Sequence, residues 1–170
     1  MSAPFLCAMI GQSMKKEDDC NMTKIPANIF REYDIRGNAD KELTDETVRE
    51  IGRAYASWLI RAGVTSGVTI GGDARLSTPR IKSAMIEGIL SAGLDVVDIG
   101  LVTTPMLYWS LIRFNFDGGV MITGSHNPTD MNGLKLCFER ATLWGSEVMN
   151  FFFNFPELGN EKSNGVDEKY

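Results

Sequence analysis

Histidine occurs once in the 170 residues, and cysteine three times, as Cys7, Cys20 and Cys137. An odd number of cysteines with no close pair argues against a disulfide framework, and a single histidine leaves a zinc cluster short of ligands. A reducing, cytoplasmic compartment fits that usage. Basic residues are in the minority: 17 Lys and Arg stand against 22 Asp and Glu, for a formal charge of −5 and a pI near 4.9. That balance removes any broad attraction to nucleic acid or to an anionic membrane, but not a small local basic pocket. Long apolar runs are missing too. Residues 99–112 are uncharged but include Thr103, Thr104 and Pro105, and fall short of the ~18 apolar residues of a membrane span. The apolar residues 4–10 are short and follow no basic residue, a poor signal peptide, and the arginines of a mitochondrial transit peptide are absent. Asn21-Met22-Thr23 matches a glycosylation acceptor, which has meaning only in a secreted chain.

What is present describes one folded domain, since a domain takes ~100–200 residues. Apolar residues make up 44%, near the roughly 45–50% of globular domains. Charged residues at 23% argue against wholesale disorder. We expect residues 1–24 to be a loosely ordered extension, 25–155 the domain and 156–170 a polar tail. In residues 43–63, Val48, Ile51, Tyr55, Trp58, Leu59 and Ala62 recur at helical steps, with Thr44 as cap and Gly63 as stop. Val68-Thr69-Ile70 reads as a strand ended by Gly71-Gly72. The unit then repeats. Ser77 caps a helix with Pro79 in its first turn and Ile81, Ala84, Met85, Ile89 and Ala92 on its apolar face. Residues 94–99 make a strand, and Thr104-Pro105 opens a helix with Met106, Leu107, Leu111 and Phe114 inward and Asn115 as its left-handed end. Residues 119–123 make the next strand; Asn132-Gly133 reads as a turn, and 134–138 as a strand returning. Residues 147–155 read as a last helix, although Phe151-Phe152-Phe153 is apolar all round. Alternating strands and helices signal an α/β sheet with helical crossovers. Such sheets bind ligands beyond the carboxyl ends of their strands, which singles out the loops at 72–77, 100–104 and 124–128.

The densest chemistry is Thr123-Gly124-Ser125-His126-Asn127-Pro128, followed by Asn132, Gly133 and Lys135. It joins a hydroxyl, the sole imidazole and a lysine near the end of a buried strand. Small residues leave Ser125 accessible, and the backbone N–H groups of such a turn can form an anion-binding concavity. A phosphorylated serine there would be a phosphoryl donor. A polar turn around a satisfied histidine accounts for the same residues about as well. A hydrolytic Ser-His pair is weaker: the G-x-S-x-G elbow is absent, neighbouring residues rarely aim at each other, and no second histidine can serve as base. Two further clusters are residues 29–37, where Arg36 can grip phosphate bidentately and Tyr33 offers a phenol, and residues 72–77, where Asp73 and Arg75 precede a capped helix. Taken alone, the first reads as a strand with solvent-facing charge and the second as a structural Asp–Arg pair.

Phe30-Arg31-Glu32-Tyr33-Asp34-Ile35-Arg36-Gly37, Gly72-Asp73-Ala74-Arg75-Leu76-Ser77, Thr104-Pro105-Met106-Leu107-Tyr108 and Gly119-Val120-Met121-Ile122-Thr123-Gly124-Ser125-His126-Asn127-Pro128 stand in one order, with Asp130, Asn132, Gly133 and Lys135 behind them. Over residues 29–145 the sequence resembles the first domain of the α-D-phosphohexomutases, the phosphoglucomutase/phosphomannomutase family, and most of all its bacterial bifunctional type. The resemblance implies a three-layer α/β/α domain with a mixed sheet. It implies that Ser125 carries a phosphoryl group exchanged with hexose 1-phosphate and 6-phosphate in carbohydrate metabolism. Mg²⁺ would sit on that phosphoserine, Arg36 and Lys135 beside the transferring phosphate, and Tyr33 and Asn127 along the substrate. His126 would position groups or move a proton. The family's Asp-Gly-Asp-Gly-Asp metal loop and its sugar-binding domains are not in these residues, and Gly72 stands where many members have Arg. We therefore expect hexose phosphates as partners and a chain that is catalytically incomplete alone, its missing domains supplied in trans. The alternative is a truncated paralogue that binds a phosphosugar or another protein, with residues 151–155 as an apolar interface.

Overall fold

The structure is a computed structural model and describes residues 25–144. The expected extension at residues 1–24, the final helix at 147–155, the Phe-rich patch and the polar tail lie outside the described residues. After a turn of 3₁₀ helix at Ala27–Ile29, the elements run β1 (Ile35–Asn38), α1 (Asp45–Arg61), β2 (Val68–Gly72), α2 (Thr78–Ser91), β3 (Val96–Leu101), α3 (Thr104–Phe114), β4 (Gly118–Ile122), β5 (Met131–Phe138) and β6 (Ala141–Thr142).

Local chemistry explains most of the boundaries. Thr44 caps α1 by accepting a hydrogen bond from the Thr47 N–H at 3.2 Å, and Asp45 and Glu46 favour the positive end of the helix. Asn115 closes α3 in the left-handed conformation, φ 55° and ψ 46°. Ser77 occupies the cap position of α2, but its side chain makes no cap bond; its hydroxyl accepts instead from Asn132 Nδ2 at 2.9 Å. Asn132 and Gly133 form no turn. Both lie inside β5, Asn132 fully buried, where its amide donates to Ser77 and Thr78. Gly133 is needed there because a Cβ would press on the Ile35 carbonyl at 2.8 Å.

The sheet order is β1-β5-β4-β2-β3, with β6 paired to β5. β3, β2 and β4 are parallel, while β4–β5, β5–β1 and β5–β6 are antiparallel, so the sheet is mixed. The chain moves outward from β2 to β3 and then back across β2 to β4. Right-handed crossovers in opposite directions place their helices on opposite faces. Accordingly, Val120 and Ile122 of β4 and Leu134 and Leu136 of β5 join the core under α1 and α2, while Met121 and Cys137 pack with Leu107 and Leu111 of α3. The result is an α/β/α sandwich.

The two helical layers differ. α1 and α2 pack closely enough that a Cβ on Gly88 would overlap the Arg49 carbonyl and one on Gly52 would come within 2.6 Å of the Met85 carbonyl. On the other face α3 is the one α-helix among the described residues. Leu107, Ser110 and Leu111 are buried beneath it, but Met106, Trp109, Ile112 and Phe114 are exposed, Trp109 at 63%. The inward orientation expected for Met106 and Phe114 is therefore wrong. α3 is apolar almost all round, so periodicity could not choose its buried face, and geometry selected the 107/110/111 stripe.

Candidate functional site

The strand order reverses between β2 and β4, and open α/β sheets bind ligands beyond the carboxyl ends of their strands at such a point. The loop after β2 begins with Asp73 and the loop after β4 with Thr123, and they are tied together. The Asp73 N–H donates to the Ile122 carbonyl at 2.9 Å, and the Gly124 N–H donates to Asp73 Oδ2 at 3.0 Å. Burial pushes the Asp73 carboxyl up, but hydrogen bonds from the Thr78 hydroxyl, the Arg75 N–H, the Thr123 hydroxyl and the Gly124 N–H outweigh it and hold it below its usual range.

The loop after β4 is the tip of a β4–β5 hairpin. Ser125 sits there exposed, with φ at 51°, the left-handed region that a residue with a Cβ enters only when its surroundings impose it. Its N–H donates to Thr123 Oγ1 at 3.0 Å, and its Oγ lies 3.3 Å from Nδ1 of His126. These neighbours do approach each other, contrary to the expectation for adjacent residues. Among the described residues no third group orients the imidazole, so the hydrolytic triad reading gains nothing.

The cations come from β1 and β5. Arg36 lies on β1 and Lys135 on β5, two strands that pair antiparallel with Arg36 opposite Gly133. That register, continued by one residue, sets Asp34 across from Lys135. Asp34 Oδ2 accepts from Arg36 Nη2 at 2.7 Å and from Lys135 Nζ at 3.2 Å. The carboxylate is buried, whereas the Arg36 and Lys135 side chains keep 29% and 22% of their surface. Arg36 is therefore not the solvent-facing charge of an ordinary strand. Its Nη1 also reaches Asn127 Oδ1 at 3.4 Å, which joins the cation pair to the Ser125 loop. Asn127 Nδ2 is buried without a partner. Tyr33 is 59% exposed at the tip of the turn closed by the Arg31 N–H to the Asp34 carbonyl, and takes no part in these contacts. The structure thus joins Arg36, Lys135 and Asn127, and separately Ser125 and His126; the two sets share Arg75, whose Nη2 donates to the carbonyls of both Ser125 and Asn127.

A family model for "Phosphoglucomutase/phosphomannomutase, alpha/beta/alpha domain I" matches residues 27–150. The chain belongs to this family. It is 42% identical to a phosphoglucomutase of Neisseria gonorrhoeae over 87% of its own length and 33% of that protein's. It is 43% identical to a phosphomannomutase/phosphoglucomutase of Pseudomonas aeruginosa over 73% of its length and 27% of the relative's. Among solved structures, a phosphoglucomutase/phosphomannomutase family protein of Burkholderia thailandensis superposes with a TM-score of 0.69 at 37% identity, covering 76% of this chain and 30% of the other. The chain spans a third or less of the length of these relatives.

Within this phosphohexomutase domain the Asp34 bridge went unnoticed in the sequence, although Asp34 and Arg36, two residues apart, share one face of an extended segment. Arg75, read as half of a structural pair, lies against the Ser125 loop. A cavity of about 390 Å³ opens beside Arg75, lined by Asp73, Leu76, Thr78, Lys82 and Leu101, but it excludes Ser125, Arg36 and Lys135, and the Lys82 charge is already paired with Asp98. Mg²⁺ demands near-octahedral oxygen ligands. The nearby carboxylates are committed: Asp34 to two cations, Asp73 to Thr78 and Gly124, and Asp130 to Asn38 at 3.1 Å. Among the described residues no group of three or more His, Cys, Asp or Glu side chains converges as a metal site. These residues do not fit the ion unaided. No helix among the described residues is long and apolar enough to cross a membrane.

Proposed function

We propose that Ser125 carries a phosphoryl group and exchanges it with hexose 1-phosphate and hexose 6-phosphate, the part of a phosphohexomutase reaction that this domain's own residues serve. The observation that carries the reading is an exposed serine held at φ 51° on the loop at the sheet's switch point, its Oγ 3.3 Å from the chain's only imidazole. In the transfer, the bond between Ser125 Oγ and phosphorus breaks as a sugar hydroxyl oxygen forms a new one. The hydroxyl proton ends on Oγ, with His126 as the group in reach to relay it. Charge spreads over the phosphoryl oxygens in such a loose transition state, and Arg36, Lys135 and the Asn127 amide would be the donors that meet it. The sugar then turns, and its other phosphate returns to Ser125 by the reverse step.

Tyr33, exposed at the turn before β1, would line the sugar's approach. The domain would act with the remaining parts of a phosphohexomutase supplied in trans, in a reducing, cytoplasmic setting that suits the buried free thiol of Cys137. Incubating the full chain with glucose 1,6-bisphosphate, Mg²⁺ and the remaining domains of a phosphohexomutase, then mapping phosphopeptides, tests the reading. Near-stoichiometric phosphate on Ser125, lost in Ser125→Ala, is expected; an unmodified Ser125 overturns it.

One observation favours a second reading, a non-catalytic phosphosugar-binding or protein-interaction module. The outward side of α3 presents Met106, Trp109 and Ile112 as one exposed apolar stripe. A stable complex formed by native material in which Ser125 is unphosphorylated would support it.

A further inference from the structure

We propose that Arg75 is a positioning residue which fixes the orientation of the Ser125–His126 peptide and thereby turns the His126 N–H toward the group on Ser125. The guanidinium lies inside the hairpin tip. Nη2 donates to the carbonyls of Ser125 at 3.2 Å and Asn127 at 2.6 Å, and Nη1 donates to those of Pro128 and of Met131, the latter at 3.1 Å. Its nearest carboxylate oxygen, Asp73 Oδ2, is 3.4 Å from Nε, farther than any of these carbonyls. The side chain is only 16% exposed, so its charge is spent on the loop and not offered to a ligand.

Gly124 records the same fit. A Cβ at that position would overlap Cζ and Nε of Arg75, so the loop closes on the guanidinium only where residue 124 has no side chain. The backbone bonds of the tip, Asn127 N–H to the Gly124 carbonyl at 2.9 Å and Met131 N–H to the Pro128 carbonyl at 3.1 Å, leave the Ser125 and Asn127 carbonyls to Arg75.

A trans peptide points its C=O and N–H in opposite directions. Holding the Ser125 carbonyl against Arg75 therefore turns the His126 N–H away from Arg75. Among the described residues that N–H has no hydrogen-bond partner. Beside it the Asn127 amide is buried with Nδ2 unpartnered. Arg75 thus fixes one donor of an anion-binding concavity without touching the anion. The consequence for phosphoryl exchange rests on the reading of Ser125 given above; the consequence for the loop does not.

The experiment uses the full chain and the variants Arg75→Lys, Arg75→Ala and Gly124→Ala, each checked for its melting curve. Amide hydrogen exchange over residues 124–131 reports the loop with no chemistry involved. Phosphorylation of Ser125 by glucose 1,6-bisphosphate, with Mg²⁺ and the remaining phosphohexomutase domains present, reports the consequence. An ammonium cannot span four carbonyls, so Arg75→Lys should fold, speed exchange in the loop at least tenfold with α1 unchanged, and slow phosphorylation at least tenfold. Guanidinium ion at millimolar concentration should restore both readouts in Arg75→Ala. Unaltered loop exchange in folded Arg75→Lys overturns the proposal. So does faster loop exchange with an unchanged phosphorylation rate. If the wild-type chain takes no phosphate, the reading of Ser125 fails, while loop exchange still decides the role of Arg75. Should Arg75→Ala not fold, Arg75→Lys and Gly124→Ala carry the test.

Discussion

Arg36 and Lys135 donate to the same atom, Oδ2 of Asp34, at 2.7 and 3.2 Å. One buried carboxylate therefore holds two cations from neighbouring strands in a fixed relation and cancels one of their two charges. Under the proposed role of Ser125, an arriving phosphate would find them already assembled and need displace only that carboxylate's share of the hydrogen bonding.

Replacing Asp34 with Asn keeps the shape and removes the counter-charge. Two like charges are then left together over a partly buried site, which should lower stability by about 2 kcal/mol in urea titration. Phosphate at tens of millimolar should recover more stability in Asp34→Asn than in the wild-type chain, because the anion supplies the counter-charge the carboxylate gave. Equal phosphate effects in the two proteins would show that the cations do not form one site.

Asp73 gives a pH signature. Its folded-state pKa lies below its ordinary 3.8, so the ionised carboxylate stabilises the fold above that value and loses its contribution as pH falls through the lower, folded value. Asp73→Asn should be less stable than wild type at neutral pH by on the order of 2 kcal/mol, and the gap should close in acid. Denaturant titrations from pH 7 down to about 3 check this; a gap that stays constant would mean the hydrogen bonds hold without the charge.

The β5–β6 turn carries Glu139 and Arg140 at φ 48° and 68°. Two consecutive positive φ values are the requirement of a two-residue hairpin turn that favours Asn-Gly. The double substitution Glu139→Asn, Arg140→Gly should therefore stabilise the domain by ~1 kcal/mol in thermal melts. The bond from Arg140 to Asn115 Oδ1 at 2.8 Å is lost in the exchange, but it is exposed and weak.

Gly88→Ala should do the reverse. The new Cβ meets the backbone carbonyl of Arg49, which cannot swing aside as a side chain can. Parting α1 from α2 should cost about 2 kcal/mol or more, seen as a lower urea midpoint.

Cys137 should resist alkylation. It is fully buried, and burial pushes its thiol up to about 11, against a smaller opposing effect of the Thr142 hydroxyl. At pH 8 peptide mapping should find Cys137 unmodified by iodoacetamide in the folded chain and modified in urea. Labelling at equal rates in both states would contradict the burial.

The order of strands and helices was readable because caps and stops are local chemistry: Thr44 and Asn115 act where their residue types say they should. Asn132-Gly133 misled for the opposite reason. Its turn chemistry is overridden by partners far along the chain, Ser77 and Thr78 for the amide and the Ile35 carbonyl for the missing Cβ. Ser77 was misread as a side-chain cap through the same interaction. Ser125, His126, Arg36 and Lys135 stood out through their motifs. The groups that hold them, Asp34 and Arg75, did not, because their roles arise from strand register and from carbonyls 50 or more residues away.

The phenol of Tyr55 lies wholly inside the core, at the end of the β4–β5 hairpin opposite Ser125. It accepts from the Gly119 N–H at 2.9 Å and donates to the Cys137 carbonyl, two residues that face each other across the ladder. A slip of one residue between those strands would send Lys135 to the wrong face and change the number of residues left for the tip. By holding Gly119 and Cys137 in step, a residue of α1 acts as a gauge for loop length. The reach of Ser125 is thus measured out from the far end of the hairpin, by a side chain no substrate ever meets.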